Sequence, residues 1–449
     1  MNQPLATVYY MKEVHPVIAY LGVEKEWTCC SHWKVATPIP KGADSMSTSL
    51  LYHAFGLRGY DYVKTEYTEG RVVFTIRQRP HTYRCPQCDA RDVIHHGHET
   101  RSFKAVPIGQ KPVLIVLPIP RVECRHCKSV RQVTLPFADP RRRYTRAFER
   151  YALELSRLMT IQDVAHHLGV GWDTIKDIQK RDLQQRFKKP RLGKLKQIAI
   201  DEISIGHGHR YLTVVLNLET GAVVFVGAGK GADALAPFWG QLRAAKAKVQ
   251  AVATDMSPAY IQAIQENLGQ AVHVFDHFHV VKLFNEKLSD FRRELYREAT
   301  EKMDKEVLKG TRWLLLKNPE NLDPKRKERE RLEEALRMNQ PLATVYYMKE
   351  DLRQIWDQPD KETATRVLED WIRRAEASCI KVLQKFAGTL AMHRTGILAY
   401  YDCRISTGPL EGTNNKIRTM QRQAYGFRDQ EFFRLKILAL HEAKYALLG

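Results

Sequence analysis

Hydrophobic and polar positions repeat with different rhythms along this 449-residue chain. Residues 60–80 (YDYVKTEYTEGRVVFTIRQRP) alternate and break at Glu69–Gly70, which predicts two strands around a turn. A further apolar strand is expected near 113–119. From Thr160 to Phe187 (TIQDVAHHLGVGWDTIKDIQKRDLQQRF) a spacing of three and four replaces the alternation and predicts a helix-turn-helix. Thr160 is placed to cap the first helix, with Val164, Ala165 and Leu168 on its buried face. Gly169 permits the tight turn, and Val170, Ile175 and Ile178 bury the second helix. That leaves Trp172, Asp173, Thr174, Lys176 and Lys180 expected on the exposed side, where a recognition helix meets the major groove.

From Lys196 the rhythm changes again. KQIAIDEISI (196–205) reads as a strand ending in acids, and 210–231 as a hairpin turning at Glu219–Gly221. ADALAPFWGQLRAA predicts a helix, AVATD (251–255) a buried strand, SPAYIQAIQENLG a helix with proline in its first turn, and AVHVFD (271–276) another buried strand. Three meander strands, a helix, then alternating strands and helices is the order of a ribonuclease-H-like α/β fold. Residues from about 281 to 400 are charged and helical, including KRKERER at 325–331, and read as an insertion before a last helix that starts at Gly408–Pro409.

Charge then narrows the partner. Seventy-one Lys and Arg face 51 Asp and Glu, a net of +20, and such an excess favours a polyanion because each cation set against a phosphate releases a condensed counterion. The arginine-rich joint at Arg141, Arg142 and Arg143 and the basic run at 188–196 flank the helical pair, which favours DNA over a helical hairpin used only for packing. The longest apolar run, Pro112–Pro120, is about half of the roughly 20 residues that a membrane-spanning helix needs, and no secretion signal opens the chain. A cytoplasmic, nucleoid-associated protein without membrane contact is expected.

Four of the eight cysteines form two CxxC pairs, Cys85/Cys88 and Cys124/Cys127, separated by 35 residues. In a non-secreted chain this spacing argues for metal rather than disulfides, and two such turns supply a tetrahedral zinc site of structural kind. The alternative is four reduced thiols.

A repeat of another sort stands apart. Met1–Glu13 (MNQPLATVYYMKE) recurs identically at Met338–Glu350, with no continued match on either side. A structural repeat would drift and span a whole supersecondary unit. The later copy suits its helical surroundings, so residues 1–45 are expected to be a fused leader, with the working protein starting at Met46.

The acids carry the candidate chemistry. Asp201 and Asp255 follow hydrophobic strands, and acids at strand ends of an open α/β sheet point into the crevice where ligands bind. Glu411 lies in the first turn of the last helix, with Asn415 and Arg418 expected on the same polar face. Converged carboxylates suit Mg²⁺ or Mn²⁺, and two such ions can serve an in-line displacement at a phosphodiester. Each acid also has a plainer reading: Glu411 as a helix-dipole or capping glutamate, Asp255 as a cap for the Ser-Pro helix, and Asp201 in competition with Glu202. Asp276, in DHFH (276–279), is a fourth candidate.

At these residues the chain resembles the ISL-three family of insertion-sequence transposases, through IAIDEISIGHGHRYLTVV, ATDMSPAY, FDHFHVVK, KGTRWLLLKN and ISTGPLEGTNNKIRTMQRQAYGF, over roughly residues 50–445. The resemblance implies an aspartate-aspartate-glutamate triad, here Asp201, Asp255 and Glu411, on a ribonuclease-H-like fold with catalytic magnesium. It implies that a zinc ribbon (46–138) and a helix-turn-helix domain (139–192) recognise terminal inverted repeats ahead of a catalytic domain (193–449). Asp276 and His279 are similar to an accessory DxxH motif near the scissile phosphate. The implied reaction hydrolyses the transposon end to a 3′-hydroxyl, which then attacks target DNA, within a homodimer or larger synaptic assembly. An inert DNA-binding repressor and a stand-alone nuclease are the rival readings.

Overall fold

In the computed structural model, residues 50–441 are described apart from 207 and 301, and the leader expected over 1–45 lies outside them. Helix α1 (Leu50–Phe55) precedes β1 (Tyr60–Thr68) and β2 (Arg71–Gln78), which pair antiparallel around Glu69 and Gly70, both at positive φ. Two long strands follow, β3 (Val93–Ile108) and β4 (Lys111–Cys124), and the short β5 (Val130–Gln132) adds to β4. The sheet order is β1-β2-β4-β3, with a core of Phe74, Ile76, Phe103, Ile115 and Leu117. Strand β3 carries His95, His96 and His98, and no alternation announces it: nearly every residue of its outer half is exposed, so neither face needs apolar side chains.

Helices α2 (Arg146–Leu155), α3 (Ile161–Leu168) and α4 (Trp172–Arg186) pack around Phe148, Ala152, Val164, Leu168, Ile175 and Ile178, with Val170 only half-buried at the edge. The Thr160 hydroxyl accepts from the Asp163 N–H at 3.2 Å and caps α3. Gly169 ends that helix at φ 58°, a conformation in which a side chain is strained. The Lys104 ammonium donates to the Gly169 carbonyl, and a bridge between Lys104 and Tyr144 joins the first sheet to the bundle.

A second sheet holds β6 (Gln197–Gly206), β7 (Arg210–Asn217), β8 (Val223–Ala228), β9 (Ala251–Thr254) and β10 (Val272–Phe275) in the order β10-β9-β6-β7-β8. β10, β9 and β6 run parallel, whereas β7 and β8 are antiparallel additions. Helices α5 (Ala232–Ala244) and α6 (Pro258–Leu268) cover one face through Leu235, Phe238, Tyr260 and Ile264.

The helical region begins at His277, directly after β10, rather than near 281, because Asp276 takes the N-cap position of α7 (His277–Glu298). It continues through α8 (Lys302–Gly310), α9 (Arg312–Leu316), α10 (Glu328–Met338), α11 (Gln340–Arg353), α12 (Lys361–Ala377), α13 (Lys381–Met392) and α14 (Arg394–Leu398). Phe284, Trp371 and Phe386 meet edge to face at its centre. The second copy of the duplicated segment forms the junction of α10 and α11: Asn339 caps α11, and Leu342, Val345, Tyr346 and Met348 are buried. Finally α15 (Gly408–Gln423) and α16 (Gln430–Leu438) cover the other sheet face through Leu410, Ile417, Phe433 and Ile437. Among the described residues, no helix is long and apolar enough to cross a membrane.

Candidate active site, cysteine cluster and recognition helix

Strand register brings three aspartates into a row. Phe275 pairs with Thr254, and Ala199 with Ala253, in the parallel ladders. One position past the ends of β10 and β9 stand Asp276 and Asp255, and level with them, two positions along β6, stands Asp201, on strands roughly 4.8 Å apart. Asp201 lies in the middle of β6 and not at its end as expected, because pairing with β7 carries that strand on to Gly206. Alternation then selects the face. Ala199, Ile203, Ala253 and Val274 belong to the core under α15 and α16, and the three aspartates share their parity. Glu202 has the opposite parity, with Ile198 and Ile200, and accepts from the Tyr260 hydroxyl at 2.8 Å on the α6 side. The competition between Asp201 and Glu202 for this crevice is settled by the pleat.

Helix α15 is bound to this row at two points. The Thr407 hydroxyl, at the N-cap, donates to Asp276 Oδ2 at 2.6 Å, and two turns further on Asn414 Nδ2 donates to Asp201 Oδ2 at 2.9 Å. Gln421 Nε2 donates to the Ile205 carbonyl at 2.6 Å and continues the attachment along β6. Glu411 lies between the two ties along the helix, at the margin of the attached face and about 60° round the axis from Asn414. Its side chain is exposed, and it stands one residue past the position a capping box requires. Asp255 does serve the local turn, since its Oδ1 accepts from the Ser257 N–H at 3.0 Å. That turn uses one of its two oxygens.

The polar residue facing the crevice is Asn414, not Asn415. Asn415 is exposed and accepts from Arg418, whereas Asn414 shares the buried side with Leu410 and Ile417. Thr407 and Asn414 both escape a sequence reading centred on acids. A helical count of four before and three after Glu411 is the signal that picks them out.

Electrostatics couple the group. Burial pushes the Asp201 carboxyl up, against the Glu202 backbone N–H and the charge of His279, and Asp255 adds to the rise. His279 Nδ1 lies 3.3 Å from Asp276 Oδ2. Burial disfavours charge on this histidine, but the bond to Asp276 and the carboxylates of Asp201, Asp276 and Asp255 outweigh it and hold its pKa above the usual value. Burial likewise opposes ionisation of Asp276, yet His279 and Thr407 hold its carboxyl below the usual range. Asp276 Oδ1 and Asn414 Oδ1 are buried without a hydrogen-bond partner. His277 Nδ1 stands 3.4 Å from Asp276 Oδ1 but makes no hydrogen bond to it. Two hard oxygens without hydrogen bonds near Asp201 fit a divalent cation, which would satisfy them and relieve the repulsion between carboxylates.

The four cysteines come together as expected. Sγ of Cys85, Cys88, Cys124 and Cys127 lie within 4.8 Å of one another, with Cys85–Cys127 at 3.5 Å and Cys88–Cys124 at 3.6 Å. Tetrahedral zinc thiolate, with Zn–S near 2.3 Å, needs sulfurs about 3.8 Å apart. The Gln87 and Cys127 backbone N–H groups donate to Cys85 and Cys124 sulfur at 3.4 and 3.5 Å. The Cys88 backbone N–H, then Gln87 and Ser129, lower the Cys85 thiol to about 6. Although the Ala90 N–H favours its thiolate, burial and the neighbouring sulfurs push Cys88 up to about 12. Such crowding is what a cation removes.

Helix α4, expected to be the recognition helix, departs from expectation. Trp172 and Asp173 are exposed and Thr174 half-buried, but Lys176 and Lys180 turn toward α16. Both pair with Asp429 Oδ2, at 3.2 and 3.0 Å, and Lys180 also pairs with Glu431 at 2.7 Å. Their side chains are only 22% and 21% exposed, because α4 is covered on two sides, by its own bundle and by α16. Asp429 caps α16, and the Phe432 N–H together with the two lysines holds its carboxyl down to about 2. Arg141 and Arg143 are exposed and Arg142 half-buried.

Comparison with known proteins identifies three family domains along the chain. Residues 198–437 match the ISL3 family domain described as a transposase, 133–182 the helix-turn-helix domain of transposase family ISL3, and 81–127 the zinc-finger of transposase IS204/IS1001/IS1096/IS1165. The transposase for insertion sequence element IS1001 of Bordetella parapertussis is 34% identical over 403 residues, covering 88% of this chain and 98% of its own length. The transposase for element IS1557 of Mycobacterium tuberculosis is 29% identical over 400 residues, covering 82% and 88%. With one family domain over more than half of its length and a relative 34% identical along nearly the whole of both chains, the chain belongs to the ISL3 family of transposases.

Proposed function

We propose that this DNA-binding transposase recognises the terminal inverted repeats of its element through the segments 46–138 and 139–192, and that Asp201, Asp255 and Glu411 in 193–449 are its catalytic acids. The observation that carries the assignment is the in-register row of aspartates tied to the helix that bears Glu411. The order β10-β9-β6-β7-β8, with three parallel strands and two antiparallel ones, supports a ribonuclease-H-like domain. Hard carboxylate oxygens favour Mg²⁺, with Mn²⁺ as a substitute, and the four thiols favour Zn²⁺.

When bound, paired divalent ions supply the positive charge that activates the attacking oxygen and steadies the leaving one. The residues of the chain do the rest. Asp201 from the middle of β6 and Asp255 from the end of β9 present oxygens on one face, and Glu411, exposed on α15, is the acid that would join them from the solvent side, where a DNA backbone arrives. Asp276 orients His279 through Nδ1, and a histidine that carries positive charge readily suits a place beside the scissile phosphate. Zinc held by Cys85, Cys88, Cys124 and Cys127 stiffens the outer ribbon and takes no part in chemistry. Two ends must be held together for joining, so the working form is a homodimer or larger assembly on DNA in the bacterial cytoplasm.

The test is incubation of purified protein with labelled transposon-end DNA and Mg²⁺ or Mn²⁺. Asp201→Asn, Asp255→Asn and Glu411→Gln are each expected to abolish cleavage while end binding stays nearly intact. Full activity in one variant removes that residue from the triad. Binding without cleavage by the unaltered protein would indicate a repressor, and cutting without joining a nuclease.

A further inference from the structure

We infer that Thr407 and Asn414 are positioning residues: from one face of α15 they clamp Asp276 and Asp201 and thereby set the orientation of the acids that receive the divalent ions. The inference rests on the proposed site but goes beyond its triad. Three observations carry it. First, Thr407 stands at the N-cap of α15 yet makes no capping bond; its hydroxyl is spent on Asp276, which lies 131 residues away in the chain. A threonine at that position ordinarily caps its own helix, so the contact is made at the helix's expense. Second, Asn414 is 3% exposed, and its amide donates to Asp201 while its carbonyl oxygen has no partner. A buried asparagine with half its capacity unmet is costly unless something else uses the group. Third, each clamped aspartate keeps one oxygen clear of its clamp: both bonds fall on Oδ2, and Asp276 Oδ1 is buried without a hydrogen bond, with His277 Nδ1 3.4 Å away.

Asp201 lies on β6 and Asp276 just past β10, with β9 between them, so backbone pairing spaces the strands while the orientation of the two carboxylates is left for another contact to set. The helix does so by bridging them with residues seven apart, two turns along one face. Glu411 falls between the bridge points, so the same two bonds also fix where the third acid is delivered. Without the clamps, carboxylates that repel one another would splay until the ions themselves drew them together, and that reorganisation would be charged against ion binding.

The experiment measures Mn²⁺ binding to the full-length protein without DNA, by loss of the free-ion paramagnetic resonance signal, alongside strand cleavage as a function of Mn²⁺ concentration. Asn414→Ala and Thr407→Val are expected to raise the half-saturating Mn²⁺ concentration roughly tenfold to hundredfold in both measurements, with end-DNA affinity unchanged. Thr407→Ser, which keeps the hydroxyl, is expected to restore wild-type binding. Thr419→Ala, on the exposed side of α15, is the neutral control. Wild-type Mn²⁺ saturation in both Asn414→Ala and Thr407→Val overturns the inference, as does a Thr407→Ser variant no better than Thr407→Val. Should Asn414→Ala fail to fold, the threonine pair still decides. If Asp201→Asn itself binds Mn²⁺ like the unaltered protein, the fault lies with the proposed metal site and not with the clamps.

Discussion

His273 should make the catalytic sheet fail as the medium turns mildly acidic. It stands on β10, three residues before Asp276, where its Nε2 lies 2.7 Å from the Thr254 hydroxyl. That hydroxyl donates to the Asp255 carbonyl at 2.7 Å, so it accepts from the imidazole and selects the neutral Nε2–H tautomer. Burial pushes the pKa from 6.5 down to about 4. The sign follows from linkage. Above pH 6.5 neither state binds the proton and the folded sheet is fully stable. Between 6.5 and 4 the unfolded chain takes the proton while the folded chain does not, so stability falls by about 1.4 kcal/mol per pH unit, on the order of 3 kcal/mol in all. His273→Gln keeps a donor for Thr254 and cannot ionise. Urea unfolding at pH 7.5, 6.0 and 5.0 is expected to show the unaltered protein losing about 2 kcal/mol more than the variant by pH 5.0. Parallel losses in the two proteins would refute the reasoning.

Two further outcomes are expected. At Gly396, where α14 crosses β10, an added Cβ would come within 2.8 Å of Phe275 Cγ in a packed core, so Gly396→Ala is expected to cost about 1–3 kcal/mol in urea unfolding and to slow cleavage through the neighbouring Asp276. Elemental analysis should find about one zinc per chain, and Cys88→Ala should lose it and leave the ribbon around residues 81–127 open to protease while the catalytic sheet stays folded.

The positions of Asp201 and Asp255 are legible in the chain because each ends a short run of buried residues, IAI and AVAT, that can only be an interior strand. What such runs cannot say is which of two adjacent acids enters the crevice. Asp201 and Glu202 are told apart by the register of β6 on β9, a property of the pair of strands and not of either alone. Likewise the periodicity of α15 points to a polar face but not to its centre, so Asn415 looks as good as Asn414 until Leu410 and Ile417 are seated on the sheet. The cysteine cluster and the two helices of the turn motif depend on local spacing and are readable for that reason. Strand β3 is not, since an exposed ribbon needs no hydrophobic pattern. Nor is the burial of Lys176 and Lys180, whose partners stand about 250 positions later.

Those two ammonium groups have further consequences. A cation can neutralise a carboxylate or a phosphate, and Lys176 and Lys180 are already spent on Asp429 and Glu431. Whatever nucleic acid reaches them displaces an internal anion and sheds fewer sodium ions from its own atmosphere than a bare lysine would cause. On the proposed reading, in which α4 and the arginines at 141–143 meet DNA, the steepness with which association weakens in salt would undercount the basic side chains on this helix.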